Sequence, residues 1–516
     1  MLLIYAAILS VTTINLDRMT GDQGNHAVAG ILVRDIALRW AADPLQPFSQ
    51  LKAFAIDHHM HYKSFASFIT YGPLHFFFMG FVYLLLGISR FTTILPTIIE
   101  SMLLMFFVWK LADQAYGDRR AAFLAAFLVA FNPVVFFYSS AVMLDVGATM
   151  FIVASFYCLA RYLKKGDGRF LYLGSITAAL AFLTRPPMML IVPVILLAFA
   201  WERRLGLAPL KKNGRHLAFA ALLFLLFVSP YFIEMAMLQS ENISLIAKWL
   251  MHAQGWKKET VQGFPVMDGT DRYVLSMQPH QNLVFYISTI FFQWYLIPFY
   301  IFAVILMLKK AGRFNATEKF CILMIVIFLA VFSTVAGAVP RFMVYTIPFF
   351  VVPLSRAISI LAKSDRRIYA LVAIIAVLAV AQCSGFLIKT RSVEPIGDFD
   401  SASAFVISDS PDCATVITTD PRPQTYSIAL LDRERKIYVL HSPWTAADLD
   451  MMVRGTFSDP EWKSLGISYP PVRYIMLHET NDNNFTAYVS RRPDFELAKT
   501  IDGPVPGARI FIFRRK

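Results

Sequence analysis

Twelve apolar runs cover most of this 516-residue chain, at 1–16, 72–89, 91–112, 121–138, 145–163, 170–183, 186–201, 216–238, 282–308, 320–338, 340–361 and 368–388. Backbone N–H and C=O groups cannot face hydrocarbon unpaired, so a run of about 20 such residues in lipid folds as a helix. No other feature restricts the fold as much. Only 16% of the residues are charged and 57% are apolar, against about 25% and 45–50% in soluble domains. The chain reads as a polytopic α-helical membrane protein. With 46 Phe and 24 Gly it is neither disordered nor collagen-like. Neither GxxxxGKS/T nor GxGxxG occurs, which argues against an ATP-driven pump. The four cysteines show no CxxC or zinc-like spacing, so thiol chemistry is not expected to be the function.

Lys and Arg positions orient the helices. Run 1–16 lacks the basic start and small-residue cleavage site of a signal peptide and reads as a first span with a cytoplasmic N-terminus. If 72–89 does not cross, loops 110–120, 161–169, 203–215, 309–319 and 363–367 lie on one side. Together they carry 19 Lys/Arg, whereas the short loops opposite carry only Arg185, Lys248, Lys257, Lys258, Arg272 and Arg341. If it does cross, the bias inverts. The positive-inside rule therefore makes 72–89 a juxtamembrane or re-entrant helix on the outer face and leaves about 11 spanning helices. The net charge of +13 is then an orientation signal rather than a nucleic-acid footprint, since residues 389–516 hold 16 basic and 17 acidic side chains.

This topology predicts a membrane domain over 1–388, with outer loops at 17–90 and 239–281, and an exterior α/β domain over 389–516. The latter shows strand-like runs at 413–419, 437–441, 473–478 and 509–513, with helical candidates near 445–454 and 483–492. In a bacterium the protein would sit in the inner membrane with that domain in the periplasm.

Polar residues that need an explanation gather at the outer boundary. Asp22, Asn25 and His26 share one face if a helix starts near Gly21. Asp22 then either caps that helix or serves as a general base. Asp145 opens a later helix at the same depth, where a carboxylate also favours the helix dipole. Two acids at one depth raise the case for chemistry or for a metal. Arg185 and Arg341 stand at outer helix ends, where the positive-inside rule disfavours them. Either they snorkel to headgroups or they hold a phosphate. His58-His59-Met60-His61-Tyr62-Lys63 offers three imidazoles with no spaced acidic or Cys partner obvious nearby, so an exposed loop or substrate contacts rank above zinc. Glu100 lies in the middle of an apolar run, a costly place that would suit a transport pathway only if other ionisable groups joined it.

The order of these features resembles the GT-C membrane glycosyltransferases that use polyprenyl-phosphate sugars. Within them it looks most like the protein O-mannosyltransferase-like branch that includes the bacterial aminoarabinose transferase of lipid A. The likeness runs through Gly21-Asp22-Gln23, Tyr71-Gly72-Pro73-Leu74-His75, Asn132-Pro133, Leu144-Asp145, Thr184-Arg185 and Pro340-Arg341-Phe342. It implies an inverting transferase moving a sugar from a polyprenyl-monophosphate donor to a lipid, glycan or protein acceptor. Asp22 would be the general base, and Asp145 would assist positioning, through a divalent metal in some members. Arg185 and Arg341 would stabilise the phosphate leaving group, and His26, Tyr71 and His75 would contact substrate. Lys63 would supply a cation that the family often places before the proline. Gln23 stands where a second acid is common, which weakens the metal. The alternatives are a transporter or lipid flippase, and a non-catalytic receptor working through 389–516.

Overall fold

The structure is a computed structural model. It describes residues 5–10, 22–62, 71–204, 214–238, 267–268, 271–272, 283–284, 286–287, 294–309, 314–335, 340–362, 365–393, 398–410, 414–418, 427–429, 431, 437–440, 446–454, 471–478, 483–502 and 509–516. Lys63 and nearly all of loop 239–281 lie outside them. The chain divides into two compact units, Met1–Thr13, Tyr71–His75 and Thr97–Lys389 in one, and Ile14–Thr70, Phe76–Pro96 and Thr390–Lys516 in the other.

The first unit is mainly helical, with one short antiparallel ribbon that pairs Met267–Asp268 with Asp271–Arg272. Its elements are α4 (Arg90–Tyr116, from Thr97 onward), α5 (Arg119–Ala130), α6 (Pro133–Ser139), α7 (Leu144–Lys165), α8 (Gly168–Thr184), α9 (Ile191–Arg204), α10 (Gly214–Leu238), α11 (Ile297–Lys309), α12 (Ala316–Val335), α13 (Ile347–Ala362) and most of α14 (Asp365–Val393). Polar loop residues cut the apolar runs at defined places. Asp118 caps α5 by accepting from the amides of Arg120 and Ala121. Its other oxygen accepts 2.7 Å hydrogen bonds from Arg356 and Ser359 of α13. Asn315 and Glu318 form a reciprocal capping box at the start of α12, each accepting the other's amide at 2.9 Å. Asn132 caps α6 with Pro133 at its first position, and α5 and α6 meet there at 64°.

Helix α7 is the axis of this unit, buried along most of its length. Gly174 of α8 lets Leu159 of α7 approach to 2.8 Å of where a Cβ would stand, and Ser155 donates to the Gly174 carbonyl at 2.8 Å. Phe156 stacks on Phe320 of α12 with centroids 4.8 Å apart. Among the described residues, four helices can by length and composition cross a membrane singly, over Arg90–Tyr116, Leu144–Lys165, Gly214–Phe232 and Ala316–Thr334, and the bent α5–α6 pair would make a fifth. Shorter apolar helical stretches of 10–17 residues among the described residues are Leu74–Leu86, Gly168–Thr184, Pro186–Trp201, Ile297–Lys309, Ile347–Ala362 and, within α14, Ala370–Ser384. Of these, Leu74–Leu86 has 13 residues and spans about 20 Å at 1.5 Å per residue, short of the roughly 30 Å hydrocarbon core.

The second unit joins α1 (Asp22–Ala42), α2 (Phe48–Tyr62), most of α3 (Leu74–Leu86) and the start of α4 to an α/β body. The body contains α15 (Phe399–Asp409), β1 (Ala414–Thr418), β2 (Ile437–Leu440), α16 (Ala446–Arg454), β3 (Val472–His478), α17 (Asn483–Ser490), β4 (Phe495–Ile501) and β5 (Ile510–Arg515). The sheet order is β2-β1-β3-β5-β4, with β1 parallel to β2 and β3, and β5 antiparallel to β3 and β4. Strand β1 is buried throughout, as expected of a strand inside a mixed sheet. The four strands and two helices expected from the sequence are present. Strand β4 (FELAKTI) was not foreseen, because its largely exposed edge position leaves no apolar run to read.

Helix α2 closes the opposite edge. His61 Nδ1 donates to the carbonyl of Ile437 on β2 at 3.0 Å, and its ring lies 4.0 Å from that of Tyr438. Ile56 of the same helix packs on the sheet core around Ile417, Leu440 and Ile475. Helices α1 and α3 cross through glycines. A Cβ at Gly30 would stand 2.7 Å from Met79 Cβ, and one at Gly80 would stand 2.6 Å from Val33 Cγ1 and 3.2 Å from the Arg34 amide. Because the Gly80 neighbours include backbone, Gly80→Val is expected to lower the thermal midpoint of the detergent-purified chain by several degrees, whereas Gly214→Ala, which faces open space, lowers it less.

Candidate functional site

Asp145, in the first turn of α7, is fully buried. Capping does not explain it, since Met143 holds the cap position and no side-chain cap bond forms there. Its Oδ1 instead lies 3.2 Å from Arg185 Nε and accepts a hydrogen bond from the Tyr345 hydroxyl. Arg185 follows the last residue of α8 with extended backbone, φ −148° and ψ 109°. Pro186 comes next, and the residue before a proline is pushed out of the helical region. The Thr-Arg-Pro-Pro sequence thus both ends α8 and turns Arg185 toward the start of α7.

Three further groups complete the cluster. Arg341 lies in the 3-10 turn Pro340–Tyr345, close enough to Arg185 to repel it. Both arginines are buried, at 5% and 6% exposure. Phe342, from the same turn, stacks on Phe332 and has the Arg185 and Arg341 guanidinium carbons 5.9 and 5.6 Å from its ring centre. Tyr71 lies beneath Arg185 at 5.0 Å. Apolar side chains adjoin this turn, among them Phe328, Phe332, Phe342 and Met343. Two guanidinium groups beside one carboxylate, with aromatic and other apolar side chains adjoining, are suited to an anion carried on a hydrophobic tail.

The segment carrying Tyr71 is closely seated. A Cβ on Gly72 would meet the Leu183 carbonyl oxygen at 1.9 Å, so only glycine lets this backbone lie on the end of α8. Four residues on, His75 Nδ1 is 2.9 Å from Glu100 Oε1, and both side chains are buried. The isolated acid of the apolar run therefore has an imidazole partner. Among the described residues this is a pair, not the chain of ionisable groups that a transport pathway would use.

The structure brings Asp145, Arg185, Arg341, Tyr71 and His75 together in one unit. Asp22 and His26 belong to the other. Asp22 is the first residue of α1, its side chain lying outside the described residues, and His26 is buried with its ring 5.6 Å from that of Phe76. Of the histidine run, His58 Nε2 lies 3.5 Å from Asp35 Oδ2 and His61 holds the sheet edge, so these two join elements of the second unit. No group of three His, Cys, Asp or Glu side chains able to hold a metal occurs among the described residues. Tyr345 was not foreseen. A tyrosine in an apolar run reads as core, and only the prolines at 340 and 348 hinted at a break there.

Residues 70–233 match the model of the dolichyl-phosphate-mannose-protein mannosyltransferase family, which takes in Tyr71, His75, Glu100, Asp145 and Arg185 but not Arg341 or Tyr345. No curated protein matches the chain. Among solved structures, ArnT from Cupriavidus metallidurans bound to undecaprenyl phosphate is similar at 13% identity and TM-score 0.61, with 99% of this chain and 97% of that one covered. Its apo form gives 12% and 0.62 over the same shares. The arabinofuranosyltransferase AftD from Mycobacteria gives 14% and 0.50, covering all of this chain and 40% of that one. The chain thus has an ArnT-like GT-C fold, and the resemblance to GT-C glycosyltransferases that use polyprenyl-phosphate sugars is borne out.

Proposed function

We propose that the protein is an inverting glycosyltransferase that moves a sugar from a polyprenyl-monophosphate donor to a lipid, glycan or protein acceptor. In this reading about eleven helices span the bacterial inner membrane, and the site and residues 389–516 face the periplasm. The observation that carries it is the buried Arg185–Asp145–Tyr345 group with Arg341 beside it. The similarity to ArnT bound to undecaprenyl phosphate supports a lipid phosphate as the anion.

In the proposed reaction the acceptor oxygen attacks the anomeric carbon from the face opposite the phosphate. The bond between that carbon and the phosphate oxygen breaks, and the configuration inverts. Asp22 takes the acceptor proton as general base. The bonding electrons leave with the polyprenyl phosphate, whose added negative charge falls to Arg185 and Arg341. Asp145 and Tyr345 hold Arg185 for this task, while Tyr71 supports its face. The prenyl tail runs along the apolar side chains beside the Pro340–Tyr345 turn, Phe332 and Phe342 among them. His26, Lys63 and His75 complete the substrate contacts. A divalent ion has no group of three ligands among the described residues, and no step is assigned to one.

Asp22→Asn at normal protein level is expected to lower transfer by about 10²–10⁴-fold, measured by mass spectrometry of lipid A and surface glycans against a strain lacking the protein. Unchanged transfer would rule out Asp22 as the base. The ion pair gives a second prediction. Asp145→Asn leaves Arg185 buried without its carboxylate and should destabilise the purified chain by about 3–5 kcal/mol. Adding Arg185→Gln should recover part of that loss, which a double-mutant cycle of thermal unfolding would measure.

A further inference from the structure

Glu100 is the one acid in the middle of an apolar run, and the proposed chemistry does not use it. Its carboxylate touches two things. Oε1 is 2.9 Å from His75 Nδ1. The whole carboxylate also lies over Gly147, so that a Cβ there would stand 2.6 Å from Oε1, Oε2 and the carboxyl carbon. Gly147 is two residues from Asp145 on the first turns of α7, and His75 ends the short segment that begins at Tyr71. One carboxylate therefore contacts both the helix that presents Asp145 and the segment that places Tyr71 under Arg185. Gly72, pressed on the Leu183 carbonyl, fixes the middle of that segment, and the His75–Glu100 bond fixes its end.

We propose that Glu100 is a positioning residue for the arginine site. Acting through His75, it holds the Tyr71–His75 segment against Arg185, and acting through Gly147 it sets the seat of the first turns of α7. This rests on the reading of that site as a binder of polyprenyl phosphate. A carboxylate in an apolar run is costly, and the hydrogen bond with His75 offsets that cost while tying two separate pieces of chain together. A transport role would require the charge itself. A positioning role requires only an acceptor of the right size, so glutamine should substitute and alanine should not. The glycine makes the contact testable from its other side. Gly147→Ala should displace the carboxylate, and shortening residue 100 to alanine should remove the collision.

The test titrates undecaprenyl phosphate onto the full chain in lipid nanodiscs and records the thermal midpoint of each variant. Glu100→Ala and Gly147→Ala should each weaken binding by about tenfold or more, Glu100→Gln by no more than about threefold, and Glu100→Ala/Gly147→Ala by no more than Glu100→Ala alone, a non-additivity expected only of groups in contact. Wild-type-like binding by Glu100→Ala would overturn the proposal, as would additive losses in the double variant or a loss in Glu100→Gln equal to that in Glu100→Ala. If a variant loses its thermal transition, the comparison of Gly147→Ala with Glu100→Gln decides by the same criteria. Arg185→Gln separates the two levels. If it loses binding while Glu100→Ala keeps it, the positioning role fails alone. If the wild type does not bind the lipid, or Arg185→Gln binds as tightly as the wild type, the anion-site reading fails and the positioning role falls with it.

Discussion

A charge buried in protein must bring its partner, and the Asp145–Arg185 pair is where the first unit meets this requirement. The carboxylate comes from the start of the most buried helix, and the guanidinium from the proline-terminated end of its neighbour. Tyr345 adds a hydrogen bond from a turn about 160 residues further along the chain than Arg185. Such a pair contributes little net stability, because desolvation offsets most of the Coulomb gain. What it gives is a fixed orientation. Arg185 is held at one end by Asp145 and supported on its face by Tyr71, and the nearby Arg341 makes the cluster favourable to an anion.

The two units solve their packing problems differently. In the first, small residues bring helices close, as where Gly174 meets Leu159, and polar caps such as Asp118 and the Asn315–Glu318 box stop helices at the loops. In the second, α1 and α3 also cross at glycines, but α2 instead covers the edge of a mixed sheet and donates one imidazole to its outermost strand. That explains the histidine run without a metal for His58 and His61, both of which join helices or helix and sheet.

Much of this was legible in the sequence, for reasons that differ by element. Long apolar runs become helices because lipid allows little else, and Asn132-Pro133 and Arg185-Pro186 mark bends because proline restricts its own backbone and the residue before it. Short apolar runs bounded by turn residues located β1, β2, β3 and β5. Strand β4 escaped because an exposed edge has no apolar signature. Arg185 and Arg341 stood out as charges in places that disfavour them, and Asp145 as a second acid at the depth of Asp22. Tyr345 did not, being an aromatic among aromatics, and the bond between His75 and Glu100 joins residues whose spacing carries no local pattern.

Arg185 and Arg341 are proposed to hold the phosphate of a lipid-linked sugar, and a cryo-EM structure of the full chain in nanodiscs with undecaprenyl phosphate would test that reading directly. In this reading phosphate density lies within hydrogen-bonding distance of both guanidinium groups, with the prenyl tail leaving along Phe332 and Phe342. Phosphate density away from Arg185, or both arginines fully engaged by protein groups while the lipid binds elsewhere, would contradict it.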